Sequence, residues 1–343
     1  MKGIQAKREY YISMVPLKLL TKLFPDEDDI VQPEYRAQRR INEARIPDIR
    51  NYIINNRDSY VFSALSASID GEFEFVQGIS ENVGVLKIDM DSTFLINDGQ
   101  HRKAAIEAAL DEDESLREET ISIVFFRDEG LKRSQQMFTD LNKHAVKTSN
   151  SLATLYDSRD VLAVATKQVI REVPFFKKYT DTERDILGKN SSKLFTLNNI
   201  YKANKRIVGG NNCTDEDVQL LTEYWSCVSD NIVEWKELLN HQITKKGLKE
   251  NYIVTLAVTI NAFGRLGKYF YDNRDVDMKL HLSRLREIDW LRSNDTDWLN
   301  RTIREDGKVM NNEIAILLTC SRIKSLIGIT LSKEEISKEN SIG

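Results

Sequence analysis

The chain has 343 residues, of which 41% are hydrophobic and 30% are charged, and its formal net charge is −4. This length suits two domains or one large one, and the composition is that of an ordinary globular protein. The three cysteines are too few and too scattered for a disulfide framework, and they lack the spacing of a zinc site. No apolar run approaches the ~18 residues of a membrane span, and no signal-peptide core is present. A cytoplasmic protein without membrane contact is therefore expected.

The first 150 residues predict short strands and helices in alternation. Pro47 suits the first turn of an amphipathic helix, and Asp70-Gly71 predicts a hairpin between two strands. Strands are predicted within residues 8–24, 60–76, 83–90, 92–98 and 120–130, and helices within 39–56, 100–109 and 134–145.

Beyond Ser149 the pattern becomes helical throughout. Ser149 or Asn150 is a suitable N-cap for the first helix of this part, and Thr214 is one for the third. Helices are predicted over 151–173, 191–208, 215–239, 251–273 and 312–328. The expected fold class is α+β, with a mixed domain over residues 1–148 followed by an all-α region over 149–343.

One polar turn stands between a predicted strand and a helix, in "NDGQHRK". Asp98 can cap the helix, Gly99 permits a positive φ, and Gln100 to Arg102 form the first turn. A helix N-terminus offers backbone N–H groups and the positive end of the dipole, so it favours an anion. Gly99, Gln100, His101 and Arg102 are therefore candidate phosphate-binding residues. A capped polar turn with no ligand is the alternative interpretation.

Three stretches of the chain carry a family resemblance. "NDGQHRKAAI" resembles the DGQHR signature of the broad superfamily of ParB-like and sulfiredoxin-like domains. Residues 135–160, with the Phe138, Asn142, His144, Asp157 and Arg159 block, and residues 307–343 are similar to one branch of it. That branch is the DndB family of DNA sulfur-modification (phosphorothioation) proteins. The resemblance covers most of the chain and implies a ParB- or sulfiredoxin-like fold for residues 1–148.

The resemblance also bears on chemistry. Sulfiredoxin-type enzymes carry a cysteine where this chain has Gln100, so thiol chemistry at the turn is not expected. ParB-like relatives hold nucleotide phosphates on an arginine-bearing turn, and Arg102 matches that residue in kind. The DndB branch is regarded as a DNA-binding negative regulator of the modification genes. It is not regarded as the sulfur-transfer enzyme.

Charge along the chain indicates where DNA would bind. Residues 131–210 contain fifteen lysines and arginines against seven acidic residues, a net of +8. Such a region suits a phosphate-binding face, although solvated helix faces or a capped interhelical loop explain it as well. The DNA-binding candidates are Asn142, Lys143, His144, Lys147, Lys177, Lys178, Lys189, Lys193, Lys202, Lys205 and Arg206.

Two functions follow as hypotheses. The first is a DNA-binding transcriptional repressor of the phosphorothioation genes, acting on their promoter DNA with no cofactor and no metal. A homo-oligomer and contact with the phosphorothioation enzymes are further candidate associations. The alternative is a ParB-like NTPase or DNA nickase that uses a nucleotide with Mg²⁺. Asp98, His101 and Arg102 would then be its catalytic candidates.

Overall fold

The computed structural model describes residues 1–25, 41–143, 148–188 and 191–342. Contacts divide the chain into two compact units, Met1–Val146 and Lys147–Gly343, called here the N-terminal unit and the helical unit. Several DNA-binding candidates lie outside the described residues: His144, Lys147 and Lys189, together with the side chains of Asn142 and Lys143.

The N-terminal unit alternates strands and helices, as the sequence predicts. Its strands are β1 (Lys2–Gln5), β2 (Arg8–Pro16), β3 (Leu65–Asp70), β4 (Phe73–Ser80), β5 (Val83–Ile88), β6 (Thr93–Asp98) and β7 (Thr120–Arg127). Its α-helices are α1 (Leu20–Leu23), α2 (Ile46–Asn55), α3 (Gln100–Glu112) and α4 (Leu131–Lys143).

Five of these strands form one mixed sheet in the order β1-β2-β7-β3-β6. All neighbours are antiparallel except β3 and β7, which run parallel with Leu65 opposite Ile123. The central strand β3 is buried along most of its length, and Leu65, Ala67 and Ile69 form part of the core beneath α3. Strand β6 ends at Asp98 and α3 begins at Gln100, so the polar turn lies between this edge strand and the helix.

The predicted hairpin at Asp70-Gly71 is wrong in its pairing, although both strands exist. β3 pairs with β6, whereas β4 pairs with β5 in a separate two-stranded sheet. The hairpin turn lies instead at residues 81–82, between Ser80 and Val83. β3 lies inside the five-stranded sheet, between β7 and β6, with Leu65, Ala67 and Ile69 on its core face, and β4–β5 forms an excursion between β3 and β6.

The helical unit confirms the predicted change from mixed to largely helical structure. Two residue pairs form short parallel strands, β8 (Thr180–Asp181) and β9 (Phe195–Thr196). The helices are α5 (Asn150–Tyr156), α6 (Val161–Glu172), α7 (Pro174–Tyr179), α8 (Leu197–Val208), α9 (Asp215–Asn231), α10 (Val233–Leu239), α11 (Lys245–Asn251), α12 (Ala257–Asp272), α13 (Met278–Ser283), α14 (Asp295–Trp298), α15 (Glu313–Leu326) and α16 (Lys333–Glu339).

The predicted caps are present, but two predicted helices are divided, since the one over 215–239 becomes α9 and α10 on either side of Ile232. Ser149 caps α5, and Thr214 forms a capping box with Asp217 at α9. The helix expected over 151–173 is broken because the Asp160 carboxylate accepts hydrogen bonds from the N–H groups of Leu162 and Ala163. Asp160 is therefore the N-cap of α6, not a residue on a helix face.

The core of the helical unit is rich in aromatic side chains. Trp225, Trp235, Trp290 and Trp298 are all fully buried, as expected for core residues. The Phe175 and Trp235 rings stack with centroids 4.5 Å apart, and the Trp225 indole N–H donates to Asn204 Oδ1 (2.7 Å). None of the described helices is long and apolar enough to cross a bilayer.

Helices α8 and α12 approach each other closely at one glycine. A Cβ added to Gly264 of α12 would lie 2.9 Å from both Cα and the carbonyl oxygen of Ala203 in α8. Both are backbone atoms, so the two helices would have to separate to admit a methyl group. The glycine is therefore required by packing and not by its own φ.

We expect Gly264→Ala to lower the free energy of unfolding by about 1–3 kcal/mol through overpacking. Helix propensity alone would raise stability by ~1 kcal/mol, so the sign of the change separates the two effects. Urea denaturation measures the change in the free energy of unfolding. Gly247→Ala in α11 is the control, since a Cβ there would meet a side-chain atom, Thr244 Oγ1, at 3.2 Å and no backbone atom from elsewhere in the described chain within 4 Å. A Gly264→Ala protein as stable as the wild type would contradict the close packing.

Candidate nucleic-acid interface

The polar turn between β6 and α3 is built around Gly99. Its φ is +108°, as the sequence predicts for a residue that must leave the strand and start the helix. Gly99 is itself the N-cap, and no side chain caps α3. The expectation that Asp98 caps this helix is therefore wrong. Its carboxylate is used differently, because it faces the guanidinium of Arg102.

The Arg102 guanidinium is held by oxygen atoms of the protein itself. Nη2 donates to Asp98 Oδ2 (2.6 Å), while Nη1 lies within hydrogen-bond distance of the Ser63 carbonyl (2.6 Å) and hydroxyl (2.5 Å) and the Ala64 carbonyl (3.0 Å). The side chain is only 16% exposed. Arg102 thus ties the first turn of α3 to the segment that leads into β3, and its donors point at protein acceptors.

His101 takes part in a second connection of the same turn. Its Nε2 accepts a hydrogen bond from the backbone N–H of Asn42 (3.0 Å), which requires an unprotonated Nε2. The neighbouring Lys103 is buried and pairs with Glu107 (2.8 Å). Asp98, Gly99, Gln100, His101 and Arg102 therefore lie together, but catalysis and phosphate binding at this turn stay predictions. The described residues contain no group of three His, Cys, Asp or Glu side chains that suits a metal ion.

A second group of predicted residues lies on the helical unit, at the end of α7. Phe175, Phe176 and Tyr179 are buried, so the short helix presents Lys177 and Lys178 to solvent. These aromatic residues pack in the core of the helical unit. Lys193 lies against the same helix, where its Nζ donates to the Lys178 carbonyl (2.9 Å).

Sequence reasoning missed two lysines that lie beside this group. Lys249 of α11 donates from Nζ to the Ser191 carbonyl (3.1 Å), two residues before Lys193. Lys245 lies one turn earlier on α11, and burial together with the Lys245 charge lowers the pKa of Lys249. The run "KKGLKEN" contains three lysines and indicates a positive segment, but it lies outside the basic region over residues 131–210.

Together these residues form what we call the lysine surface: Lys177, Lys178, Lys193, Lys245 and Lys249. None of the five forms an ion pair with an acidic side chain in the part of the chain that the structure describes. Arg292 adds a sixth positive charge, because its Nη2 donates to the Lys249 carbonyl (2.7 Å) at the end of α11. Cations gathered without counter-charges attract an external anion.

The remaining basic candidates lie on α8 and divide in two. Lys202 and Lys205 are exposed. Arg206 is engaged within the protein, since Nη1 and Nη2 donate to the two carboxylate oxygens of Glu313 (2.9 and 2.5 Å) and Nε to Asn261 (3.1 Å). No hydrogen bond or ion pair within the described part of the chain joins these three residues to the lysine surface. Their DNA-binding role stays a prediction.

Comparison with known proteins gives one family match. The family model described as DndB, DNA-sulfur modification-associated, matches residues 1–330. No curated protein and no solved structure is significantly similar to the chain.

We expect Gly99→Ala to destabilise the protein more than Gly130→Ala, by at least about 1 kcal/mol. Both glycines have positive φ, +108° and +94°, but nothing lies within 4 Å of a Cβ at Gly130. A Cβ at Gly99 overlaps the side chain of Leu65, which is fully buried. Chemical denaturation of the two variants therefore isolates the overlap from the backbone strain. Equal losses would show that strain alone requires the glycine.

We expect Arg102→Ala to lower the free energy of unfolding by about 2 kcal/mol, because the Ser63 and Ala64 carbonyls and Asp98 lose the donor that a mostly buried guanidinium supplies. Arg50→Ala is the matched control. Its guanidinium is 37% exposed and lies 3.5 Å from Glu112, so about 0.5 kcal/mol is expected. Thermal or urea unfolding measures both. If Arg102→Ala matched the control, the guanidinium would not anchor the turn.

Proposed function

This chain belongs to the DndB family of DNA-sulfur-modification-associated proteins, and on that premise we propose that it binds double-stranded DNA through the lysine surface. We propose further that this binding represses the phosphorothioation genes at their own promoter. The association with DNA sulfur modification follows from the family. DNA contact and repression are the added steps.

The lack of ion pairs at the lysine surface is the single observation that supports DNA binding most. Bringing like charges together costs free energy. The pKa of Lys249 is lowered first by burial and second by the charge of Lys245. A DNA backbone offsets that cost, since its phosphates neutralise lysines and release condensed counterions. Lysine is suited to this task as a point charge that positions phosphate without reading sequence.

Repression requires that promoter DNA be preferred over other DNA. Lysine contacts to phosphate supply affinity, while base contacts or DNA shape must supply the preference. We include in this proposal a homo-oligomer that binds a palindromic operator. The proposal also includes contact with the modification enzymes.

We expect Lys178→Gln/Lys193→Gln to weaken binding to a promoter duplex and to flatten its salt dependence. Each lost phosphate contact removes about 0.9 from the slope of log Kd against log salt, so the slope should fall by about 2. Fluorescence anisotropy across a salt series, on the full chain, measures both quantities.

The matched control is Lys87→Gln/Lys338→Gln, which removes two exposed lysines elsewhere and the same net charge. It should keep the wild-type slope. An equal loss in both double variants would mean that only net charge matters and would overturn the role of the lysine surface. A scrambled duplex bound as tightly as the promoter would overturn repression while leaving DNA binding in place.

A further inference from the structure

A cavity of about 380 Å³ opens on the helical unit between α8, α12, α15 and the start of α16. One face of α12 supplies most of it, because Arg265, Lys268, Tyr269 and Asp272 follow each other at helical spacing. Its volume lies near the lower end of the range of small-molecule sites. Arg206 of α8 is at its edge.

The cavity has more positive than negative groups. Four cations line it, Arg206, Arg265, Lys268 and Lys324, against two carboxylates, a net of +2. Glu313, which pairs with Arg206 from outside the lining, reduces that to +1. A cavity on the N-terminal unit is lined by three acidic residues and two basic ones. The excess of cations therefore distinguishes the cavity on the helical unit from that cavity on the N-terminal unit.

The floor of the cavity is a buried ion pair between Lys324 and Glu335. Lys324 Nζ donates to Glu335 Oε1 (2.6 Å), and both side chains are at most 10% exposed. Glu335 Oε2 accepts from the backbone N–H of Ser332 (2.8 Å), and Lys324 Nζ also lies over the Tyr269 ring, 5.0 Å from its centroid. This arrangement holds one positive charge at a set position beneath the cavity.

Arg265 is the group that the fold leaves without a direct partner. It is half-buried, and it forms no hydrogen bond or ion pair within the described part of the chain. Its charge acts on Glu313 from a distance, where it helps to hold the pKa of that carboxyl low. A guanidinium that has lost part of its hydration and gained no acceptor costs free energy, which a bound anion recovers.

We propose that this cavity binds a small molecule bearing a phosphate dianion, held by Arg265 and Lys268 above the Lys324–Glu335 pair. A phosphate carries charge opposite to the positive excess of the cavity, and the guanidinium fork of Arg265 fits two phosphate oxygens. The Tyr269 ring on the wall offers an apolar face to whatever the phosphate is attached to. The site uses none of the five residues of the lysine surface and does not depend on the proposed repression.

A backbone phosphate of DNA has related chemistry, so the experiment separates the two sources. Isothermal titration calorimetry of the full chain with sodium pyrophosphate, and separately with adenosine monophosphate, should give one site per chain. Arg265→Gln should weaken that binding at least tenfold. Arg171→Gln removes an exposed arginine from the same unit and should leave it unchanged.

Three outcomes would overturn the proposal. Neither phosphate compound binds the wild type, or both variants bind as the wild type does, or Arg265→Gln weakens only duplex DNA. If Arg265→Gln fails to fold, Lys268→Gln replaces it, since the Lys268 side chain is 40% exposed, pairs with Asp272 and lies over the Tyr271 ring. It should also weaken pyrophosphate binding, and an unchanged affinity there counts against the site.

Discussion

The close contact of Gly264 with Ala203 sets the geometry on which the helical unit depends. Because glycine has no Cβ, the backbone of α12 reaches that of α8, and a methyl group there would lie 2.9 Å from backbone atoms. One turn further along α8, Arg206 therefore meets Asn261 of α12 and then Glu313 of α15. The cation-lined cavity lies beside this crossing, since α8 and α12 supply part of its walls, together with α15 and the start of α16.

The two units handle charge differently. In the N-terminal unit the acidic stretch over 107–120 is largely neutralised from within: Glu107 by Lys103, Glu112 by Arg50, Asp113 and Glu119 by Arg57, and Glu118 by Lys18. The exposed ones among these pairs add little stability, but together the pairs cancel the local field. The lysine surface has no such pairs within the described residues, so its field extends into solvent, where a polyanion can respond to it.

The Gly99 turn shows that one residue pattern admits two uses. A glycine, a histidine and an arginine at a helix start are suitable for holding a phosphate, and they are equally suitable for fastening a loop to a sheet. Residue types do not distinguish these two uses, because they do not show which acceptors the arginine finds in its own chain. Here Ser63, Ala64 and Asp98 provide them, and these residues lie up to 39 positions away.

The sequence by itself determined what depends on neighbouring residues. Capping at Ser149 and Thr214, the positive φ of Gly99 and the change from mixed to helical structure near residue 150 all follow from local pattern. Strand partners were less accessible, since a strand signal does not say which other strand will bury it, and β3 pairs with β6 and β7 instead of its sequence neighbour. Only the tertiary structure brought Lys249 beside Lys193 and left Arg265 in a cavity without an acceptor among the described residues. Those placements arise from packing between helices far apart in the chain, and helical periodicity does not predict them.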